Sequence, residues 1–157
     1  RWRTWVEVDW HRQNCGSPGF GCKSSRDHLM PLTGELCGIL DGLPFKEHGG
    51  FVFSASAGEK AYGNLVKPKR RLDSVSGVNG WTLHDVRRTV RTGLSRLGIR
   101  PDIAERVIGH SVGGRLGETY DVYSYRDEKL TALEAWSQHI AAVTEGQTGG
   151  NVVKMRG

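Results

Sequence analysis

The sequence lacks the features of a secreted or membrane-spanning protein. Its three cysteines are an odd number in a chain of 157 residues, which argues against a disulfide framework and favours a reducing compartment. No uninterrupted apolar run approaches the roughly 18 residues that a membrane span needs. No charged-then-apolar signal segment opens the chain. We therefore expect a cytoplasmic protein without a membrane partner.

The chain also lacks an initiating methionine, because its first residue is Arg1. We therefore expect a fragment or a processed chain. Its length is that of one ordinary domain, which can bury a core without disulfide or metal support. Apolar residues make up 37% and charged residues 25% of the sequence, a balance that is typical of a globular chain and not of a disordered one.

Acidic residues are scarce relative to basic ones. There are 17 Asp and Glu against 22 Lys and Arg, which gives a net charge of +5. Residues 60–115 hold 12 of the basic residues and only four acidic ones, so this window carries a charge of +8. The concentration of positive charge favours a polyanionic partner such as nucleic acid. A solvated basic surface is the alternative, and charge by itself does not separate the two.

The first third of the chain predicts a small sheet and one helix. Residues 4–10 alternate apolar and polar side chains and predict a strand, which a Gly/Ser/Pro loop follows. Residues 27–32 predict a second short strand, which Pro31 can close or which can lie at a sheet edge. Residues 51–53 predict a brief buried strand or extended segment. Thr33 is a good N-cap for a helix between them. The residues expected on the inward face of that helix are Leu36, Ile39, Leu40 and Leu43.

Start and stop signals divide the remainder into four helices, so we expect an α+β fold that is mainly helical. The signals are Pro at a helix start, Thr or Asp near the N-cap and Gly after the last turn. The residues that provide these signals are Pro68 for the first helix, Thr82 and Gly98 for the second, Pro101 and Gly109 for the third, and Asp127 for the fourth. Apolar residues at helical spacing predict the inward faces of the last three helices. These are Val86, Val90, Leu94 and Leu97; Ile103, Val107 and Ile108; and Leu130, Leu133, Trp136, Ile140 and Val143.

Three motifs in and after the basic window carry the residues best suited to phosphate chemistry. The first, residues 84–89, has the sequence His-Asp-Val-Arg-Arg-Thr at a predicted helix start. Since His84 and Arg87 are three residues apart, they share one helix face. Together they can contact one phosphate, the guanidinium as a two-pronged donor and the imidazole as a donor or acid. The second motif releases His110 at a helix end, and the third is a tyrosine cluster at Tyr120, Tyr123 and Tyr125.

In this order the motifs resemble those of the tyrosine recombinase (phage integrase) family, specifically the catalytic domain of island- or prophage-type integrases. The resemblance covers roughly residues 4–143. Residues 84–89 resemble the family's HxxR box, and residues 107–110 resemble the box with its third conserved histidine. The other matching segments are residues 120–123 with 127–136, which resemble the nucleophile segment and closing helix, and residues 23–32, which resemble the β-hairpin with the active-site lysine.

The resemblance implies a set of catalytic residues and a reaction without metal or cofactor. Tyr120 would attack a DNA phosphodiester and form a 3′-phosphotyrosine, while Lys23 would protonate the leaving 5′-oxygen. Arg87 and His110 would stabilise the transition state, and His84 would hydrogen-bond the phosphate or assist proton transfer. The residues expected to contact DNA elsewhere are Arg88, Arg91, Lys69, Arg70 and Arg71. The implied partners are double-stranded DNA attachment sites, bound by a homotetramer of the full-length protein in a bacterial or phage-encoded system.

Two departures from the family pattern qualify these expectations. The family's first catalytic Arg and its N-terminal DNA-clamping domain have no counterpart here. We therefore expect residues 1–143 to be an N-terminally truncated catalytic domain, nearly inactive alone, and residues 144–157 to be a flexible tail. The interval between His110 and Tyr120 is also one residue longer than the family spacing, so Tyr123 stays an alternative nucleophile.

Other functions compete with a recombinase. A noncatalytic DNA-binding module would use the same His and Arg residues to hold phosphates. A zinc-stabilised interaction domain would use His11, Cys15, Cys22 and His28, although these lack the tight Cys-x2–4-Cys spacing of zinc sites. A type IB topoisomerase shares the recombinase chemistry, but the segment from Tyr120 to Trp136 favours an integrase.

Overall fold

The computed structural model describes residues 4, 8–16, 29–43, 50–54, 56–110, 112 and 123–146. About 54% of these residues are helical and a small antiparallel sheet lies near the N-terminus, so the predicted α+β class is confirmed. The helices are α1 (Gly34–Asp41), α2 (Val66–Ser76), α3 (Leu83–Arg96), α4 (Pro101–Val107) and α5 (Arg126–Thr144). In this described part of the chain, no helix is both long and apolar enough to cross a membrane.

Three two-residue strands form the sheet, in the order β1 (Val8–Asp9), β2 (Asn14–Cys15) and β3 (Met30–Pro31). Both pairings are antiparallel, with Val8 opposite Cys15 and Asn14 opposite Pro31. Pro31 therefore lies on an outer strand of the three, where its missing N–H costs no second ladder bond, as predicted. The strand β2 lies in a segment that the sequence predicts as loop.

One hydrophobic core joins the sheet to α1. Its buried residues are Val8, Leu32, Leu40 and Val52. The Thr33 side chain accepts a hydrogen bond from the Leu36 N–H at 3.3 Å, which confirms the predicted N-cap. The expectation that Ile39 points inward is wrong, because its side chain is 63% exposed. The face of α1 that meets the core is centred on Leu36, Cys37 and Leu40, about 105° from Ile39 around the helix axis.

A second core lies between α3, α4 and α5. Its buried residues are Leu94, Ile103, Ala104, Val107 and Ala132, with Val90, Leu133 and Trp136 packed against them. Gly93 and Leu94 are the buried residues of α3, so the contact uses the C-terminal half of that helix. Val86, Ile140 and Val143 extend beyond it and are 50%, 42% and 48% exposed. The predicted inward face of α4 is therefore confirmed at Ile103 and Val107. The predicted faces of the other two helices are right at their centres and wrong at Val86 and Leu97 of α3, the latter 37% exposed, and at Ile140 and Val143 of α5.

Polar contacts tie the first turns of α5 to the sheet. Lys129 is 5% exposed, and its Nζ donates to the Leu29 carbonyl at 2.6 Å. Arg126 donates to Asn14 Oδ1 at 3.1 Å and to the Arg12 carbonyl at 2.9 Å. Burial lowers the pKa of Lys129, and the nearby positive charge of Arg106 lowers it further. These contacts connect the helical core to the N-terminal sheet.

Candidate active site

The N-terminus of α3 is built by local hydrogen bonds. Thr82 and Asp85 form a capping box, in which Thr82 Oγ1 accepts from the Asp85 N–H at 3.3 Å and Asp85 Oδ2 accepts from the Thr82 N–H at 2.9 Å. Hydrogen bonds from the Thr82 hydroxyl and N–H hold the pKa of Asp85 below its usual value. Asp85 therefore starts the helix. His84 and Arg87, which flank Asp85 in the sequence, are exposed on the first turns.

The C-terminus of α4 turns the chain so that His110 leaves the helix. Gly109 adopts a left-handed conformation with φ of 72°, which a glycine adopts at no steric cost. Its N–H donates to the Arg106 carbonyl at 3.1 Å, and the His110 N–H donates to the Glu105 carbonyl at 2.9 Å. This pair of bonds is a Schellman motif. It confirms Gly109 as the helix stop and fixes the backbone of His110 against the last turn of α4.

A hydrogen bond from α3 reaches this turn. The guanidinium of Arg87 donates to the Ile108 carbonyl, two residues before His110. The structure thus brings together Arg87 and His110, which come from two separate sequence motifs. His84 lies one turn before Arg87 on α3 and is exposed.

Glu105 links the same two helices through its side chain. Arg91 Nε donates to Glu105 Oε1 at 2.7 Å, and Glu105 Oε2 lies 2.6 Å from His110 Nδ1. Arg91 also donates to the Ser95 hydroxyl. The hydrogen bonds from Arg91 and His110 hold the pKa of Glu105 below its usual value. Glu105 is thus ionised at neutral pH, and its two carboxylate oxygens contact Arg91 and His110, one each.

Sequence analysis missed Glu105 because nothing in its local pattern marks it. It lies five residues before His110, a spacing that does not bring side chains together in a continuous helix. The Schellman turn after Val107 brings them together. A usable signal is the combination of an acidic residue, a Gly-His pair at a helix end and an Arg one turn after Arg87.

Two of the expected catalytic residues, Lys23 and Tyr120, lie outside the described residues. Tyr123 is described and is 57% exposed. The negative charge of Glu128 raises the pKa of Tyr123, which is opposite to what a tyrosine nucleophile needs. Tyr125 packs against the helical core, with the Arg106 guanidinium 3.9 Å from its ring centre.

The expected DNA-contacting residues differ in their surroundings. Arg70 and Arg71 on α2 are exposed, and the Arg88 side chain on α3 is 72% exposed, 3.5 Å from Asp85. Lys69 instead pairs with Asp73 at 2.6 Å and lies 4.8 Å from the Trp81 ring centre. Arg91, paired with Glu105, is only 26% exposed. Three of the five side chains are therefore well placed to reach a large polyanion.

The chain is similar to a prophage integrase. It is 22% identical over 152 residues to the prophage integrase IntA of Escherichia coli (strain K12), an alignment that covers 90% of this chain and 35% of the relative. The chain therefore spans about a third of the relative's length. No protein-family model matches the chain, and no solved structure matches it significantly. The similarity supports the integrase family as a whole and no finer subdivision of it.

Only part of the potential zinc-binding set can be placed. His11 and Cys15 lie in and next to the β1–β2 turn, whereas Cys22 and His28 lie outside the described residues. Among the residues that the structure describes, no group of three or more His, Cys, Asp and Glu side chains could hold a metal ion.

Proposed function

We propose that this chain is the catalytic part of a tyrosine-type site-specific recombinase. The observation that carries the proposal is the hydrogen bond from Arg87 to the Ile108 carbonyl, which puts Arg87 beside the turn that presents His110. Two sequence motifs that resemble parts of one active site thus meet at the α3–α4 junction. The similarity to a prophage integrase supports the same assignment from separate information.

The proposed reaction is a transesterification at a DNA phosphodiester. The Tyr120 oxygen attacks phosphorus, the bond from phosphorus to the 5′-oxygen breaks, and a 3′-phosphotyrosine forms. Lys23 supplies the proton that the leaving 5′-oxygen takes up. Tyrosine has a reference pKa of about 10, so a cationic site must favour loss of its proton, which passes to His84 or to solvent. The released 5′-hydroxyl group of a partner strand reverses the step and rejoins the DNA.

Arg87 and His110 are the groups that we assign to the transition state. Negative charge gathers there on the nonbridging phosphate oxygens, and fixed donors around them lower the barrier. A guanidinium has five N–H donors, and the bond from Arg87 to Ile108 uses one of them. Donors therefore remain for the phosphate, and His84 holds it from the preceding turn of α3.

The partners follow from this chemistry. We propose double-stranded attachment sites as the substrate, a homotetramer on DNA as the active assembly, and a bacterial cytoplasm as the location. Residues 1–143 would supply the catalytic domain. Arg70, Arg71 and Arg88 would hold flanking phosphates, which position DNA without specifying its sequence.

A Tyr-to-Phe pair tests the nucleophile. In the full-length protein, Tyr120→Phe should abolish the covalent adduct with nicked suicide duplexes, because Phe keeps the ring and removes only the hydroxyl. Tyr123→Phe should retain the adduct and is the matched control. The measurement is the yield of detergent-resistant protein–DNA complex on duplexes tiled across the DNA that flanks the gene. An adduct that survives in Tyr120→Phe and disappears in Tyr123→Phe would transfer the role to Tyr123.

A noncatalytic DNA-binding module is the second candidate, favoured by the exposed arginines of α2 and α3. The same assay separates the two functions. A binding module would retain the duplexes at low salt and release them all in detergent. Absence of any adduct from the unmodified protein, on duplexes that it binds, would therefore overturn the recombinase proposal.

A further inference from the structure

The contact between Glu105 and His110 does more than join two neighbouring side chains. Glu105 holds His110 twice, through its backbone carbonyl at 2.9 Å from the His110 N–H and through its carboxylate at 2.6 Å from Nδ1. Glu105 therefore contacts both the backbone and the ring of His110. The ring itself is 53% exposed, so packing alone does not fix its orientation.

The carboxylate also selects which ring nitrogen carries a proton. An ionised carboxylate only accepts hydrogen bonds, so His110 Nδ1 must donate to Glu105. The other nitrogen, Nε2, is then the one that Glu105 leaves unoccupied. In histidine sites the partner of one nitrogen sets the role of the other. Glu105 thus leaves Nε2 as the atom that can meet a phosphate oxygen, to which it donates a hydrogen bond when it also carries a proton.

Arg91 completes the arrangement from the neighbouring helix. Its Nε donates to Glu105 Oε1 at 2.7 Å, and its guanidinium also donates to Ser95. One oxygen of the Glu105 carboxylate therefore contacts Arg91 of α3, and the other contacts His110. This leaves Arg91 engaged within the protein and one turn behind Arg87, whose own bond goes to the same α4 turn.

We propose that Glu105 is a positioning residue for His110, held in place by Arg91, and that Arg91 acts through Glu105 and not through a DNA phosphate. The proposal rests on the proposed function, since it assumes that His110 contacts the scissile phosphate. In this arrangement Arg91 holds Glu105 at the junction of α3 and α4, and Glu105 orients the His110 ring so that Nε2 is available to the phosphate.

The first test measures the proton position on His110 directly. In the 157-residue protein, ¹⁵N shifts of the His110 ring nitrogens report which nitrogen is protonated, without any need for activity. We expect Nδ1 to be protonated in the wild type and the population to shift away from that form in Glu105→Gln and Glu105→Ala. The matched control is Asp102→Asn, which changes a carboxylate on the same helix that pairs with Arg100 at 2.8 Å. Unchanged His110 shifts in both Glu105 variants would overturn the proposal.

The second test measures cleavage and binding separately in the full-length protein. Glu105→Gln should slow adduct formation by about 10- to 100-fold, by analogy with the loss of carboxylates that orient metal-ligating histidines, with the Kd for DNA unchanged. Asp102→Asn should cleave at the wild-type rate. Arg91→Met should slow cleavage and leave the salt dependence of binding unchanged. A fall in DNA affinity and a shallower salt slope in Arg91→Met would instead make Arg91 a phosphate contact and overturn that part.

The outcomes distinguish the two proposals from each other. A changed His110 proton position with wild-type cleavage in Glu105→Gln would overturn the positioning role and leave the recombinase function intact. Failure of the unmodified protein to form any adduct would overturn the recombinase function itself, and the positioning role with it. Slow cleavage, unchanged Kd and altered ring shifts together support both.

Discussion

Glu105 illustrates how one side chain can link a helix end to a neighbouring helix. Its two oxygens accept from Arg91 and His110, and these hydrogen bonds favour the ionised form. A carboxyl group whose pKa is lower in the folded state stabilises the fold above its unfolded-state pKa. That stabilisation is lost as the pH falls through the folded-state pKa. The value for Glu105 lies below its reference of 4.5, so the relevant window is acidic.

Comparison of wild type with Glu105→Gln across that window isolates this group, since Gln does not titrate. We expect the wild type to be the more stable protein at pH 6 and its advantage to shrink steadily as the pH falls below about 4.5. Urea unfolding at intervals from pH 6 to pH 3 measures the difference in the free energy of unfolding. A difference that stays constant over the whole range would show that the carboxylate is not preferentially ionised in the fold.

At the scale of elements, the approach of α3 to α5 depends on Gly93. A Cβ at this position would overlap the six-membered ring of Trp136, which packs against the helical core. Gly inside a helix ordinarily costs about 0.5–1 kcal/mol relative to Ala. Here the steric conflict decides the sign, because relieving it requires the Trp136 ring or one of the helices to move.

We therefore expect Gly93→Ala to destabilise the protein by about 1–3 kcal/mol, as overpacking of a core typically does. The matched control is Gly38→Ala in α1, where a Cβ meets no atom within 4 Å. That change should stabilise the protein by about 0.5–1 kcal/mol through helix propensity. Urea or thermal unfolding of the three proteins gives the comparison. Equal effects of the two substitutions would contradict the close packing of α3 on α5.

Sequence patterns predict the helix boundaries well and the helix faces less well. Caps such as Thr33, Thr82 and Gly109 act through bonds to residues two to five positions away, so the local sequence contains all that is needed. Which side chains become buried depends on where another element lies opposite, and Val86 and Ile140 have apolar spacing but remain 50% and 42% exposed. The strand β2 is two residues long, too short to show a period.

The candidate site is likewise predictable from local sequence only in part. The motifs around Arg87 and His110 were recognisable from residue types and order. The role suggested here for Glu105 was not, because it depends on a turn and on a contact from α3. The burial of Lys129 was equally hidden, since a lysine in a helix is usually exposed and this one is covered only because α5 lies against Leu29.

For the whole molecule, the exposed arginines predict a salt-sensitive interaction with DNA. Each phosphate contact releases counterions, so the affinity should fall steeply with salt concentration. Arg88→Ala should lower the affinity for two unrelated duplexes alike and make the slope of log K against log salt shallower by about one. Fluorescence anisotropy at several salt concentrations measures both quantities.

The matched control for this measurement is Arg100→Ala. Its side chain is 70% exposed, as that of Arg88 is 72% exposed, but it precedes α4 at the end opposite His110 and pairs with Asp102. It should leave the salt slope unchanged. If both variants reduce the slope equally, the interaction is with basic charge in general and not with the face around α3.

The contacts of α5 with the sheet join two parts of the chain that are far apart in the sequence. Asn14 and Leu29, which lie on either side of the segment containing Lys23, are both hydrogen-bonded to the first turns of α5, through Arg126 and Lys129. The same turns directly follow the segment that contains the tyrosines. A displacement of the first turns of α5 would therefore also act on Asn14 and Leu29, through hydrogen bonds that span 112 and 100 residues of sequence. The N-terminal sheet and the last helix thus share one mechanical linkage.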